Sequence, residues 1–149
     1  MYGFAAALFA LSVAQQVPAP ATPLPEREQV LEAALGFVEA LLRGDAPALA
    51  AASTARFSFD GAVVEGREAQ ARRWRELFAA RGASGRDVLR DLVLLTGPEA
   101  LAQLGEAPPR VAALARPGAW VAVADVTGRP LVLFLSGDGG RFAVAGMHD

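Results

Sequence analysis

The chain has 149 residues, a hydrophobic content of 53% and a formal net charge of -2 at pH 7. This length and composition suit one domain with a full hydrophobic core. The slightly acidic charge argues against the basic patch that nucleic-acid binding requires, so no nucleic-acid partner is expected. Because the sequence contains no cysteine, disulfides, thiol catalysis and thiolate metal sites are excluded.

An uninterrupted apolar run extends from Phe4 to Val13. It has the length of a signal-peptide core and is too short to span a bilayer. Small side chains at Ser12 and Ala14 fit cleavage before Gln15, although no basic residue precedes the run. We predict a signal peptide over residues 1–14; the alternative is an apolar helix that packs on the domain.

Residues 15–25 are rich in proline and lack apolar periodicity, which is typical of an extended linker. A linker directly after an apolar leader is what an exported domain would carry. The sequence therefore predicts a periplasmic or secreted protein, without a membrane segment in the mature form, whose folded domain covers residues 26–149.

Helical patterns dominate the first half of that domain. Apolar residues recur at helical spacing from Glu26 to Arg43, and Arg43-Gly44 marks the end of this helix. Asp45 is placed to cap a short second helix over 46–52, and a third helix is predicted over 67–81. Between the second and third helices, residues 56–65 predict a hairpin that turns at Asp60-Gly61.

The second half is predicted to be mainly strands. Residues 88–96 form one strand, and three more follow at 119–127, 131–136 and 141–149, joined by turns too short for parallel crossovers. The segment between them contains two proline-led stretches, 98–105 and 109–116, which predict two short helices. Both faces of the closing strands are apolar, so the helices should cover one face and the other is a candidate dimer surface.

The order of the predicted elements resembles that of the NTF2-like or SnoaL-like superfamily. The local sequence does so as well, in the segments FVEALLRGDAPALAA and RFSFDGAVVEGREAQARRW and in the terminal AWVAVADV, PLVLFLS and RFAVAGMHD. The resemblance covers nearly all of residues 26–149 and departs from the family at 98–116, where a strand hairpin is more usual. It implies an α+β cone in which N-terminal helices pack on a curved antiparallel sheet, with a pocket at the wide end.

Members of this superfamily include enzymes and non-catalytic binding domains, so the fold alone leaves the chemistry open. Our main expectation is a non-catalytic domain that binds a small apolar molecule in the cone pocket, forms a homodimer through its sheet, or does both. The expected pocket residues are Trp74, Phe57, Phe59, Trp120 and Phe142. For the two tryptophans the alternative is a place in the aromatic core.

The alternative function is a SnoaL-like isomerase, cyclase or hydratase. His148 is the only histidine, and by strand period it would share a face with Phe142 and Val144 and point into the pocket as a general acid or base. Its partner would be Asp125 or Asp91, although each of these also fits a simple place in or at the end of a strand.

Two further observations concern this enzymatic alternative. The only tyrosine is Tyr2, inside the predicted leader, so the tyrosine donor that ketosteroid isomerases use for the oxyanion is missing from the domain. No phosphate-binding glycine loop, zinc motif or histidine–carboxylate cluster is present in the sequence, so neither a cofactor nor a metal is expected.

Overall fold

The computed structural model describes residues 24–82, 86–138 and 140–149. Within these residues the chain is an α+β domain, with four α-helices and a six-stranded sheet. The predicted signal peptide and most of the predicted linker lie outside the described residues, but the linker's last two residues, Leu24 and Pro25, already belong to the first helix. None of the described helices is long and apolar enough to span a membrane.

The first three helices confirm the sequence analysis. They are α1 (Leu24–Arg43), α2 (Ala46–Ala51) and α3 (Arg67–Arg81). Asp45 caps α2, because its carboxylate Oδ1 accepts the N–H of Ala48 at 3.0 Å. All three helices pack against one side of the sheet, which we call the inner face.

The six strands are β1 (Ser53–Phe59), β2 (Ala62–Glu65), β3 (Leu89–Thr96), β4 (Trp120–Val126), β5 (Arg129–Asp138) and β6 (Arg141–His148). Their order across the sheet is β2-β1-β6-β5-β4-β3. Four neighbouring pairs are antiparallel, but β1 and β6 run parallel. The prediction of a wholly antiparallel sheet is therefore wrong at one place. Short turns fix the direction only of strands that follow each other, whereas β1 and β6 are separated by most of the domain.

The inner face carries the larger core. Phe37 of α1 stacks on Phe57 of β1 with their ring centroids 5.8 Å apart, and Trp74 of α3 meets Phe59 at 4.9 Å. Aliphatic residues from the closing strands complete it, including Leu133 and further side chains at alternate positions: Ala122, Ala124, Leu131, Leu135 and Val144. The alternation of side chains along β4 thus correctly predicts that Ala122 and Ala124 share one face.

The opposite side of the sheet, the outer face, is covered in part by residues 97–118, which we call the roof segment. It begins with α4 (Gly97–Leu104), whose N-terminus has a capping box between Thr96 and Glu99. The second predicted helix of this segment is only a 3₁₀ turn, Ala112–Leu114. The sequence analysis named this face as a candidate dimer surface, but the roof segment occupies part of it.

Candidate binding site

A cavity of about 300 Å³ opens at the end of the inner core, where α3 meets the ends of β1, β4 and β6 and the start of β5. We call it the inner cavity. Its apolar lining consists of Leu41, Phe59, Trp74, Leu77, Phe78, Val126, Pro130, Leu131 and Met147. This volume lies at the lower end of the range of about 300–1,000 Å³ that is typical of ligand pockets.

Charged side chains of both signs surround the apolar lining. The charged residues of the lining are Arg73, Arg81, Arg129, Asp60, Asp87 and Asp149. Arg81 and Asp149 form an ion pair at 3.9 Å with more than half of each side chain exposed, so solvent screens it and it holds the rim weakly. The rim has no net charge that would favour an anion or a cation.

Two of the five expected pocket residues, Phe59 and Trp74, line the inner cavity. The other three are displaced from it. Phe57 is fully buried in the aromatic core, and Phe142 packs on the same core beside Gly137. Trp120 lies under the start of α1, where its indole N–H donates to Glu26 at 3.3 Å. Strand period assigned these side chains to the inner face but could not say how far along the core each one lies.

Trp74 has a further property. It is 2% exposed, and its indole N–H has no hydrogen-bond partner among the described residues. A buried donor without an acceptor costs roughly 1–3 kcal/mol. An acceptor atom of an occupant that reached this N–H would remove that cost.

His148 does not point into the inner cavity. Phe134 and Leu135 of β5 pair with Gly146 and Val144 of β6, so Ala145 is an extra residue in β6. Such a β-bulge reverses the alternation of side chains beyond it. Val144 and Met147 therefore face the inner core, while His148 lies on the outer face opposite Val132. The prediction that His148 shares a face with Phe142 and Val144 is wrong for this reason.

The actual partner of His148 is Asp60, the residue of the β1–β2 turn. The Nδ1 atom of His148 lies 2.7 Å from Oδ1 of Asp60, and the same oxygen accepts the Nε–H of Arg110 at 2.7 Å. The hydrogen bond from Arg110, followed by that from His148, lowers the pKa of Asp60 below its ordinary value of 3.8. Asp60 is therefore a carboxylate that orients the imidazole ring.

Asp125 and Asp91, the partners expected for His148, lie elsewhere. They sit opposite each other on β4 and β3. Oδ1 of Asp125 accepts the N–H of Gly128 at 2.7 Å in the β4–β5 turn, and Asp91 accepts the N–H of Leu92. Because β5 separates β4 from β6, Asp125 is about 10 Å or more from His148 by strand spacing alone. The structure does not bring these residues together.

The sequence analysis missed the roles of Asp60 and Arg110. Asp60 was assigned only to the hairpin turn, which it does form, with φ of 50°. Arg110 is 50 positions away from it in the chain, and no periodic pattern links the two. The only hint in the sequence is that Asp60 has a charged side chain that can accept hydrogen bonds at the end of its hairpin.

Among the residues that the structure describes, no group of three or more His, Asp or Glu is arranged to hold a metal ion. No protein-family model matches the chain, and no curated protein matches it significantly.

Solved structures do match over most of the chain. A domain of unknown function with a cystatin-like fold from Nostoc punctiforme has 14% identity and a TM-score of 0.48, over 85% of this chain and 76% of that one. A protein from a Streptomyces species has 16% identity and a TM-score of 0.46, over 89% and 91%. A protein of unknown function from Mycobacterium tuberculosis has 17% identity and a TM-score of 0.47, over 87% of this chain and 75% of that one. These values are too low to assign a family or a function.

Proposed function

We propose that the protein is an exported NTF2-like domain that binds a small apolar molecule in the inner cavity and does not catalyse a reaction there. The observation that supports this most strongly is the apolar lining of that cavity, which combines three aromatic side chains, Phe59, Trp74 and Phe78, with aliphatic ones such as Leu77 and Leu131. Apolar walls with a few polar groups at the edge are typical of small-molecule sites.

The position of the titratable side chains supports a binding role over a catalytic one. A general acid or base must come within hydrogen-bond reach of the reacting group. His148, Asp125 and Asp91 do not line the inner cavity, and its carboxylates belong to the rim residues Asp60, Asp87 and Asp149.

The test uses methyl resonances of the full chain, with toluene as an apolar probe. Binding in the inner cavity should shift the methyl signals of Leu77, Leu131 and Met147 in a saturable way. Leu77→Trp, which fills the cavity, should abolish these shifts, whereas the control Leu31→Trp on the exposed side of α1 should not. Unchanged methyl signals at all three of these residues would contradict the proposal.

The enzymatic alternative, a SnoaL-like isomerase, cyclase or hydratase, has one observation in its favour. A carboxylate that orients a histidine is the arrangement found in histidine-based nucleophilic and acid–base sites. In this chain the partner would be Asp60 in place of Asp125 or Asp91. Such an enzyme would have to bind its substrate on the outer face, since His148 lies there.

Dimerisation through the sheet has less support. The roof segment buries Val121 and Phe134 of the outer face within the chain itself. A homodimer would have to use what remains outside the roof, such as the exposed Val93 on the edge strand β3. Light scattering after size exclusion tests this: a dimer that becomes monomeric in Val93→Glu would support it, and a monomeric wild-type chain would contradict it.

A further inference from the structure

A second cavity, of about 630 Å³, lies on the outer face between the roof segment and strands β4, β5 and β6. We call it the outer cavity. Val121, Val132, Phe134 and His148 form its sheet side, while Leu101 and Leu104 of α4 form part of its roof side. Leu101 and Leu104 are 58% and 52% exposed, so the cavity offers apolar surface that residues 24–82, 86–138 and 140–149 leave unfilled.

The roof segment is fixed at points around this cavity. A Cβ atom added to Gly146 would lie 2.5 Å from Cδ1 of Leu114, and one added to Gly61 would lie 2.9 Å from Cβ of Arg110. Val111 between them is only 1% exposed. The absence of side chains at Gly146 and Gly61 thus lets Leu114 and Arg110 pack closely on the backbone there, which holds residues 110–114 against the sheet and the β1–β2 turn.

The lining contains an imidazole ring, that of His148, whose orientation is fixed by a hydrogen bond. A carboxylate can only accept hydrogen bonds, so the 2.7 Å contact with Asp60 requires Nδ1 of His148 to carry a proton, and the longer 3.2 Å approach of Arg110 to Nδ1 is not a competing bond. In the neutral ring the other nitrogen, Nε2, is then an acceptor, and it has no hydrogen-bond partner among the described residues. The His148 side chain is 23% exposed and lines the cavity. Glu106 and Arg116 also line the cavity, but both residues are exposed to solvent and Arg116 can only donate, whereas the imidazole of His148 is held in place by Asp60. A largely apolar wall with one oriented acceptor favours a mainly apolar ligand that carries a donor.

We propose that the outer cavity is a second binding site, which takes a mainly apolar molecule carrying a hydroxyl group that donates a hydrogen bond to Nε2 of His148. Asp60 is a positioning residue in this site, because it fixes the tautomer and the orientation of the ring through Nδ1. Arg110 supports Asp60 from the roof segment and ties that segment to the β1–β2 turn. The inner cavity lies on the other side of the sheet, but the two sites are linked through Asp60, which orients His148 and also lies at the edge of the inner cavity.

Two probes of the same composition test the hydroxyl group: 1-octanol and its isomer 1-methoxyheptane, which lacks the O–H. With the full chain, 1-octanol should shift the methyl signals of Leu101, Leu104, Val121 and Val132 in a saturable way. The ether should bind about threefold to tenfold more weakly, the usual effect of one lost hydrogen bond. His148→Phe should bind both probes equally, and Asp60→Asn should reduce the preference for the alcohol.

Each contrary outcome overturns the proposal in a recognisable way. If 1-octanol shifts only Leu77 and Leu131, the molecule binds in the inner cavity, and the outer site fails while the proposed function stands. Equal affinity of the wild type for the two probes would remove the role of His148.

A substitution distinguishes between two possible occupants of the outer cavity, a small molecule and a second copy of the chain. Leu104→Asp places a charge at an exposed position of the outer cavity and should abolish the shifts while the chain stays folded. Val63→Asp, at an exposed apolar position on β2, is the matched control and should leave them unchanged. A dimer in the wild type that Leu104→Asp dissociates would show that a second copy occupies the cavity, and would overturn the proposal.

Discussion

The two faces of the sheet are covered in different ways. The inner face meets three helices and contains a contiguous aromatic core in which Phe37, Phe57 and Trp74 contact one another. In the part of the chain that the structure describes, the outer face meets one short helix and a 3₁₀ turn, and its core is a small cluster that includes Leu95, Val111 and Phe134. Its cavity is also about twice as large, 630 against 300 Å³.

The difference follows from the lengths of the covering elements. A long amphipathic helix such as α1 presents a whole stripe of side chains, which can fill the space above several strands. The 22-residue roof segment contains eight helical residues and is otherwise mostly turns, so it touches the sheet at separate points and leaves space between them. Stability should therefore depend mainly on the inner face, and the outer face should be the more adaptable one.

The largest effect should come from the inner core. Phe57→Ala removes a fully buried ring and should lower the free energy of unfolding by about 3–5 kcal/mol. Val111→Ala removes two methyl groups from the outer cluster and should cost only about 2 kcal/mol. Urea unfolding followed by circular dichroism measures both. Equal losses in the two variants would mean that the outer cluster is as strongly coupled to the fold as the aromatic core.

Gly146→Ala tests how tightly the roof segment packs on the sheet. The added methyl group would meet Leu114 and Ser58 at 3.0 Å or less, and such overpacking costs about 1–3 kcal/mol. The control is Gly36→Ala on α1, where nothing lies within 4 Å, which should stabilise the chain by about 0.5–1 kcal/mol. Thermal unfolding compares them. A neutral Gly146→Ala would show that the roof segment moves away easily.

Gln70 tests how the inner helices hold the β1–β2 hairpin. Its side chain is fully buried, and its amide Nε2 donates to the carbonyl oxygens of Thr54, Ala55 and Val64 at 3.0–3.2 Å. Gln70→Leu leaves these acceptors without this donor and should cost about 1–3 kcal/mol, measured by urea unfolding. Gln29→Leu at an exposed position of α1 is the control and should change little.

The smallest effect should come from the ion pair that ties the roof segment to the hairpin. The pKa of Asp60 is lowered in the folded chain, so its contribution to stability is present above the ordinary value of 3.8 and disappears as the pH falls through the lowered pKa. The wild type should therefore exceed Asp60→Asn in stability at pH 6, with the difference vanishing at the acid end of a pH series.

Arg110→Gln provides the background control for that series. It removes the main cause of the lowered pKa, so Asp60→Asn should have a smaller effect on stability in that background. An undiminished effect would show that His148 alone stabilises the carboxylate.

Sequence alone determined most of the local structure of this domain. Helical periodicity, the Asp45 cap, the Asp60-Gly61 turn and the alternation in β4 each depend on neighbouring residues, and all agree with the structure. An α+β fold followed from their order. Of the expected pocket residues, Phe59 and Trp74 line the inner cavity, but strand period alone could not say which aromatic residues of the inner face lie at that end of the core.

Tertiary structure decided the remaining features, because each depends on residues far apart in the chain. The bulge at Ala145 arises from the register of β5 against β6 and moves His148 to the outer face. The parallel pairing of β1 with β6 joins the start of the sheet to its end. Asp60, Arg110 and His148 meet only because these two strands lie side by side beneath the roof segment. No local pattern encodes such a meeting, since it follows from how the whole chain packs.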